Sequence, residues 1–150
     1  MGHTATCLLV HVVFGTKGRT RRIDAALRAR LEAFATALVR DLGCEPVRIG
    51  AAADHVHLLV QFPATVAVAD AVRAVKANTS RWIHRTWPER RAFGWQAGYG
   101  AFSVSPSRRE QVAAYIARQD EHHRRLSFRE EFRALLEKHG IRLDEPSDTR

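Results

Sequence analysis

Residues 47–62 read VRIGAAADHVHLLVQF, and this stretch decides how the chain folds. Its two halves, 47–53 and 55–62, are rich in β-branched and other apolar residues, as strands are. Asp54 stands between the halves as a turn residue, and Pro63, which has no N–H to donate to a ladder, ends the second half. The stretch therefore predicts two consecutive strands joined by a tight turn.

The segments around this hairpin predict further strands and helices. Residues 6–14, TCLLVHVVF, form a strand, and Asp24 caps a helix whose apolar residues recur every three or four positions until Gly43. A second helix covers roughly residues 67–86, and residues 99–104 form a fourth strand. The order β-α-β-β-α-β predicts an α+β fold with a ferredoxin-like or RRM-like antiparallel sheet and helices on one face. An open sheet face often holds single-stranded nucleic acid.

Two capping boxes predict additional helices after the fourth strand. Ser107 to Glu110 opens a helix that runs to about His123, and Ser127 to Glu130 opens a short final helix that ends before Gly140. A polar tail follows from about residue 141. We therefore expect one domain over residues 1–150.

The charge balance of the chain favours a polyanionic partner. Its 150 residues carry 24 Lys and Arg against 16 Asp and Glu, a formal net charge of +8, with 45% hydrophobic residues. All of the positive excess lies in the first two-thirds of the chain. A basic body attracts phosphates, and binding releases counterions. An Ala- and Arg-rich composition is equally typical of GC-rich codon usage, so charge alone leaves both explanations open.

Several classes of protein are excluded by the same composition. No apolar run approaches the roughly 20 residues that span a bilayer, and the N-terminus does not resemble a signal peptide. Cys7 and Cys44 form neither a CxxC pair nor a disulfide framework, which is typical of a reducing compartment. We therefore expect a cytoplasmic protein rather than a secreted or membrane protein.

The motif His55-Val56-His57 lies within the predicted third strand. Strand alternation places both imidazoles on one face of the sheet, where they can share a divalent metal ion. A second explanation is a pair of partly buried histidines with no ligand.

Tyr115 and Gln119 are four residues apart and therefore share one face of the predicted third helix. A tyrosine can attack phosphorus when its phenol is deprotonated or a metal polarises the phosphate. An amide oxygen is a hard ligand that suits Mg²⁺ or Mn²⁺. By spacing alone, the alternative is a tyrosine at the edge of the core beside a solvated glutamine.

Taken together, residues 54–60 (DHVHLLV) and 115–119 (YIARQ) resemble the HUH single-tyrosine transposases of the smallest insertion sequences. Further similarities are found, in the same order along the chain, at residues 11–14, 17–19, 76–82, 95–103 and 121–124. The resemblance extends from residue 6 to about residue 145.

The resemblance implies a DNA strand transferase that uses a metal but no nucleotide cofactor. In such an enzyme His55, His57 and Gln119 bind one Mg²⁺ or Mn²⁺, and Tyr115 attacks single-stranded DNA at an insertion-sequence end. The products are a 5′-phosphotyrosine and a free 3′-hydroxyl, which later rejoins DNA. Family members bind DNA hairpins at element ends and form homodimers, commonly with the tyrosine helix acting in trans. A nucleoid-associated location in a bacterium or archaeon follows.

Two groups of basic side chains are candidates for gripping DNA phosphates. One is a loop and the other a helix surface, with the members Lys17, Arg19, Arg21 and Arg22, and Arg73, Lys76 and Arg81. For any one arginine the alternative is a solvated surface charge. Four aromatic residues are candidates for stacking on bases, and we expect at least half of them in the core or an interface instead: Phe93, Trp95, Tyr99 and Phe102.

Other assignments stay open at this stage. His11 lies on the strand expected beside the third, either near the metal site or as an ordinary sheet residue, and His122 and His123 have no assigned role. The main alternative function is a non-catalytic or domesticated protein of the same fold that binds single-stranded nucleic acid hairpins. A metal-dependent RNA-processing enzyme would need a general base, and the sequence offers no well-placed Glu or Asp.

Overall fold

A computed structural model of the chain describes residues 2–119 and 126–143. Their strands are β1 (Leu8–Gly15), β2 (Glu45–Ala51), β3 (His55–Phe62) and β4 (Gly100–Ser103). Their α-helices are α1 (Ala25–Asp41), α2 (Val68–Thr86), α3 (Arg109–Ala117) and α4 (Phe128–Lys138).

The four strands form one antiparallel sheet in the order β2-β3-β1-β4. The hairpin predicted from residues 47–62 is present, and β3 pairs along its whole length with β1. This strand order is the one that a ferredoxin-like β-α-β-β-α-β chain produces, so the predicted fold class is confirmed.

One face of the sheet packs against α1 and α2. Val12, Phe14, Val56, Leu58 and Val60 point to that side and join the apolar stripes of both helices in the main core. Asp24 caps α1 by accepting a hydrogen bond from the Leu27 N–H, as the sequence predicts. The β-α-β-β-α-β unit thus buries one sheet face completely.

The opposite face is covered by the two additional helices, so it is not an open face of the kind on which such sheets often hold nucleic acid. Leu9, Val13 and Leu59 point to this side, and α3 and α4 bury them with Ile116 and Phe128. Removing this apolar surface from water lowers the free energy of the folded protein. The two added helices therefore provide a second core and cover His55 and His57, which share this face.

Glycines on the covered face allow the added helices to approach the sheet closely. A Cβ at Gly50 would lie 2.6 Å from the Ile116 carbonyl oxygen in α3, and one at Gly15 would lie 2.7 Å from the Phe128 ring in α4. Contacts this short are sterically excluded for any larger residue. The sheet thus holds α3 and α4 against the face that carries the histidines.

Only one of the two predicted capping boxes is formed. Ser127 Oγ accepts from the Glu130 N–H at the start of α4. Ser107 instead lies in a short 3₁₀ turn after Pro106, and its hydroxyl contacts Ser105, so α3 begins at Arg109 without a side-chain cap. The α-helix ends at Ala117, earlier than predicted, and residues 120–125 and 144–150 lie outside the described part of the chain.

None of the described helices is both long and apolar enough to cross a membrane.

Candidate active site

The two histidines of β3 present the same nitrogen to the space under α3 and α4. His55 Nδ1 lies 2.7 Å from Asp54 Oδ1, and His57 Nδ1 lies 2.7 Å from His11 Nε2. The remaining Nε2 atoms both face Glu131 Oε1, at 3.5 Å from His55 and 2.6 Å from His57. Both imidazoles are fully buried. Their Nε2 atoms therefore converge on one point with a carboxylate.

Glu131 lies on α4 and contacts both histidines. The prediction that no Glu or Asp is well placed to act as a general base is therefore wrong. The Glu131 side chain is only 1% exposed. A signal for it exists in the sequence, since Glu131 shares one helical stripe with Phe128, Phe132 and Leu135, all apolar residues that pack toward the sheet. A carboxylate inside an apolar stripe is rarely buried without a partner.

The structure brings Gln119 to the same point. Gln119 Oε1 lies 3.3 Å from His55 Nε2, and its Nε2 donates to the Tyr115 carbonyl oxygen at 3.3 Å. Although α3 ends at Ala117, the chain keeps Gln119 beneath Tyr115 and only 2% exposed. The predicted spacing of four residues therefore does place both residues beside the histidines.

The Tyr115 side chain lies against the pair, within a single chain. Its ring meets the His57 ring edge-on, with 5.8 Å between the centroids. The side chains of Glu131 and Gln119 interact with the phenol. Burial, followed by the negative charge of Glu131, raises the pKa of the phenol above its ordinary value. The Tyr115 phenol therefore keeps its proton in this arrangement.

The surroundings shift the proton affinities of the histidines in opposite directions. Burial alone would lower the pKa of His55, but the hydrogen bonds to Asp54 and Glu131 outweigh it and raise this pKa. Burial and the neighbouring His57 lower the pKa of His11 to about 3, so His11 is uncharged at neutral pH. The site therefore combines a neutral imidazole with two that face an acidic group.

His55, His57 and Glu131 form a group that can hold a metal ion, with all candidate ligand atoms within 4.8 Å of one another. Two imidazoles and a carboxylate are donors that suit Mn²⁺ and other divalent ions. Ligands about 2.1 Å from an octahedral ion stand about 3 Å apart. The distances of 2.6 Å and 3.5 Å from Glu131 Oε1 to the two Nε2 atoms bracket that value. The residues present therefore fit a divalent metal.

A cavity of about 490 Å³ adjoins the site between α3 and α4. It reaches Tyr115, Glu131 and His11, and Arg108 and Lys138 also line it. The phenol is therefore accessible from a space that carries two basic side chains.

The sequence profile of the family described as "Transposase IS200 like" matches residues 4–119. The chain belongs to the IS200-like transposase family. This membership assigns transposase function to the protein and agrees with the resemblance found in its motifs. The match covers β1 through Gln119 and therefore includes both histidines and the tyrosine.

Solved structures support the fold of this IS200-like transposase. A protein from Deinococcus radiodurans R1 that is assigned as a transposase has 24% identity and a TM-score of 0.66, covering 80% of this chain and 97% of its own. A REP-associated tyrosine transposase bound to a REP hairpin has 13% identity and a TM-score of 0.58, covering 82% of this chain and 74% of its own. No curated protein gives a significant match to the chain.

The basic loop predicted to contact DNA lies around a 3₁₀ turn at Lys17–Arg19. Lys17, Arg21 and Arg22 are exposed, while Arg19 is half-buried and has a positive φ of 55°. Arg22 is fixed by a hydrogen bond from its Nε to Thr20. The loop of this IS200-like transposase therefore presents several cations to solvent.

The basic helix α2 divides into exposed and structural cations. Arg73 and Arg81 are exposed and pair within the helix, with Asp70 and Asn78 respectively. Lys76 instead donates to the carbonyl oxygens of Gln96 and Gly98. Its ammonium therefore ties α2 to the segment before β4, and burial lowers its pKa.

Four aromatic residues are candidates for stacking on bases, with at least half of them expected in the core or an interface. Two of the four, Phe93 and Phe102, are buried in the core. Trp95 is half-buried and donates to Thr79 Oγ1, whereas Tyr99 is 38% exposed. Tyr99 is thus the member of the set with most surface for a base. His122 and His123 lie outside the described residues.

Proposed function

We propose that this IS200-like transposase cleaves and rejoins single-stranded DNA at insertion-sequence ends, with Tyr115 as the nucleophile. The observation that carries the proposal is the meeting of the Tyr115 phenol with His55, His57 and Glu131 in one buried cluster. A protein that only binds DNA has no need for a tyrosine beside two convergent imidazoles and a carboxylate.

In this proposal His55 and His57 hold one Mg²⁺ or Mn²⁺ through their Nε2 atoms, with oxygen ligands from Gln119 and Glu131. The donor distances given above support it, and so does the burial of all four side chains. When bound, the metal polarises the scissile phosphate and stabilises the charge that develops on it.

The cleavage step is a transesterification at phosphorus. Tyr115 Oη forms the new bond to phosphorus, and the bond from phosphorus to the 3′ oxygen breaks. The phenolic proton passes to the Glu131 carboxylate, which interacts with the phenol. A carboxylate has two oxygens, so the side chain can take this proton and still face the imidazoles. The leaving 3′ oxygen takes a proton from water and becomes a free hydroxyl.

The rejoining step reverses this chemistry. A 3′-hydroxyl from another strand end gives its proton to water and its oxygen attacks the phosphorus of the 5′-phosphotyrosine. The bond from phosphorus to Tyr115 Oη breaks, and Tyr115 Oη takes up a proton. One phosphodiester is exchanged for another through an ester of similar energy, so no nucleotide cofactor is required. We propose that Glu131 returns the proton in this direction.

The substrate that we propose is single-stranded DNA folded into hairpins. The REP-associated relative is described as bound to a REP hairpin, and the exposed cations of the basic loop and of α2 provide phosphate contacts here. The contact between Tyr115 and His57 of the same chain favours an active site completed within one protomer. A homodimer and exchange of the tyrosine helix stay predictions.

A covalent trapping experiment tests the function. The protein is incubated with Mn²⁺ and labelled single-stranded oligonucleotides from the DNA that flanks its gene, and the products are separated under denaturing conditions. We expect a protein–DNA adduct with the wild type but none with Tyr115→Phe. Tyr99→Phe, at the other of the two tyrosines in the chain, is the matched control and should form the adduct.

The outcomes separate the rival functions. An adduct formed by Tyr115→Phe at the wild-type rate would remove Tyr115 as the nucleophile. Hairpin binding without an adduct on any flanking sequence would favour the non-catalytic binding protein. Efficient cleavage of duplex DNA would contradict a single-strand mechanism.

A further inference from the structure

We propose that His11 is a positioning residue that holds His57 in the tautomer able to bind a metal through Nε2. The inference rests on the proposed function, because it assigns a role toward the metal ion. His11 itself does not face Mg²⁺ or Mn²⁺ in this scheme, and it acts through His57.

The sheet brings the two histidines together from distant parts of the sequence. β1 and β3 are neighbouring antiparallel strands, with Val13 opposite His57 and His11 opposite Leu59. His11 therefore lies diagonally from His57 on the same face. Their ring planes differ by only 24°, with 5.0 Å between centroids, and His11 Nε2 lies 2.7 Å from His57 Nδ1, so the two rings meet edge to edge through these nitrogens. The pair is a buried hydrogen bond rather than a packing contact alone.

The direction of this hydrogen bond decides what His57 offers to the site. A neutral imidazole carries one N–H, so a proton on Nδ1 leaves a lone pair on Nε2. If His57 Nδ1 donates to His11, its Nε2 lone pair faces the Glu131 carboxylate, beside which a metal would be held. If His11 donates instead, the proton of His57 lies on Nε2, directed at Glu131 Oε1 2.6 Å away, and no metal bond forms there.

His55 shows the same construction with a different partner. Its Nδ1 lies 2.7 Å from a carboxylate oxygen of Asp54. Because an ionised carboxylate can only accept, the proton of neutral His55 lies on Nδ1, and Nε2 keeps a lone pair that can bind a metal. Outer partners of this kind orient metal-binding histidines and raise their basicity. His11 gives His57 the corresponding acceptor, at a position where no carboxylate is available from the turn.

Burial makes this acceptor difficult to replace. His11 is 4% exposed and His57 is fully buried, so solvent does not readily take over the Nδ1 hydrogen bond. Phe102 packs beside His11, with 6.3 Å between the ring centroids, and offers no polar atom. A substitution at Phe102 therefore serves as a control for the loss of packing beside His11.

The test compares three variants by calorimetric titration of the folded protein with Mn²⁺. His11→Phe keeps an aromatic ring but removes the acceptor, and we expect Mn²⁺ to bind about 10- to 100-fold more weakly. His11→Gln places an amide oxygen near the former Nε2 and should recover most of the affinity. Phe102→Leu should lower the melting temperature but leave Mn²⁺ affinity within about twofold of the wild type.

A spectroscopic measurement reads the tautomer directly. Long-range ¹H–¹⁵N spectra of the Mg²⁺-loaded protein should show His57 protonated at Nδ1 in the wild type and in His11→Gln. In His11→Phe we expect a mixture of tautomers or a shift toward the Nε2–H form. This signal does not depend on DNA or on cleavage activity.

Two results would overturn the inference: unchanged Mn²⁺ affinity in folded His11→Phe, or equal weakening in His11→Phe and His11→Gln. If His11→Phe does not fold, the His11→Gln affinity and spectrum decide the matter. His57→Ala separates this inference from the proposed function. Binding that is lost in His57→Ala but kept in His11→Phe removes only the role of His11, whereas binding unaffected by His57→Ala removes the metal site itself.

Discussion

Glu131 Oε1 lies 2.6 Å from His57 Nε2, and this contact joins the last described helix to β3, a central strand of the sheet. It means that α4 supplies part of the site in addition to covering the sheet. Phe128 supports the same docking, because its ring stacks on His55 with 4.3 Å between centroids. The position of α4 thus places a carboxylate that could hold a metal beside both histidines and Tyr115.

Replacing Glu131 should weaken metal binding. The substitution Glu131→Gln keeps the shape of the side chain but removes the negative charge that faces both Nε2 atoms, and we expect at least about a 10-fold loss of Mn²⁺ affinity by calorimetry. Glu137→Gln, on an exposed position of the same helix, is the matched control. Equal affinities for wild type and Glu131→Gln would exclude the carboxylate as a ligand.

Adding one methyl group at Gly50 should displace the tyrosine helix. The new Cβ would meet the backbone of Ile116 at 2.6 Å, and α3 carries Tyr115. We expect Gly50→Ala to cost about 1–3 kcal/mol in the free energy of unfolding by urea denaturation, and to slow adduct formation. Gly94→Ala is the control, since its nearest neighbours would be 3.9 Å away. A Gly50→Ala protein as stable and as active as the wild type would contradict this packing.

The cap of α1 should give a small dependence of stability on pH. Asp24 accepts from the Leu27 N–H and lies 2.7 Å from Arg90 Nη2, and these contacts, that with Arg90 first, lower the pKa of its carboxyl. An acid with a lowered folded-state pKa stabilises the protein above its unfolded pKa, and this stability is lost as the pH falls through the folded value.

The matching experiment compares Asp24→Ala and Asp24→Asn. Asp24→Ala removes the cap and should cost about 1 kcal/mol at pH 7. Asp24→Asn keeps a capping oxygen and loses only an exposed ion pair, so it should cost less. The difference between wild type and Asp24→Asn should shrink as the pH is lowered below the ordinary Asp pKa of 3.8. If the stability difference between wild type and Asp24→Asn grew on acidification, folding would not lower the pKa of Asp24.

Two cations on α2 should respond differently to removal. Arg73 is exposed, so Arg73→Gln should leave the melting temperature unchanged and lower the slope of log affinity against log salt for single-stranded DNA by about 0.7. Lys76→Met should instead lower the melting temperature, because the carbonyls of Gln96 and Gly98 lose their donor. If Lys76→Met changed the salt slope and not the melting temperature, its predicted role in DNA binding would stand and its structural role would not.

Much of the fold was predictable because it depends on local patterns. The apolar strands, the turn at Asp54 and the cap at Asp24 indicated the order of elements and hence the sheet. The prediction of a capping box at Ser107 was wrong because Pro106 starts a 3₁₀ turn there, and a serine in such a turn bonds its neighbour instead of the helix. Short motifs indicate that a helix begins nearby better than they indicate its first residue.

The covered face illustrates what local patterns leave out. Strand alternation correctly placed His55 and His57 on one face with Leu59, but it does not tell whether α3 and α4 pack on that face or extend away from it. Close approach of Ile116 to Gly50 and of Phe128 to Gly15 decides this, and it depends on residues that are far apart in sequence.

By itself, the sequence determined the order of strands and helices, the shared face of His55 and His57, and the pairing of Tyr115 with Gln119. These follow from the side-chain periodicity of two residues in a strand and of three to four residues in a helix, which can be read from a few consecutive residues. Only the tertiary structure brought Glu131 to His57 from one side and His11 from the other. Those contacts join three separate elements, and packing of α4 and pairing of β1 with β3 create them, because buried polar groups must find partners wherever the fold provides them.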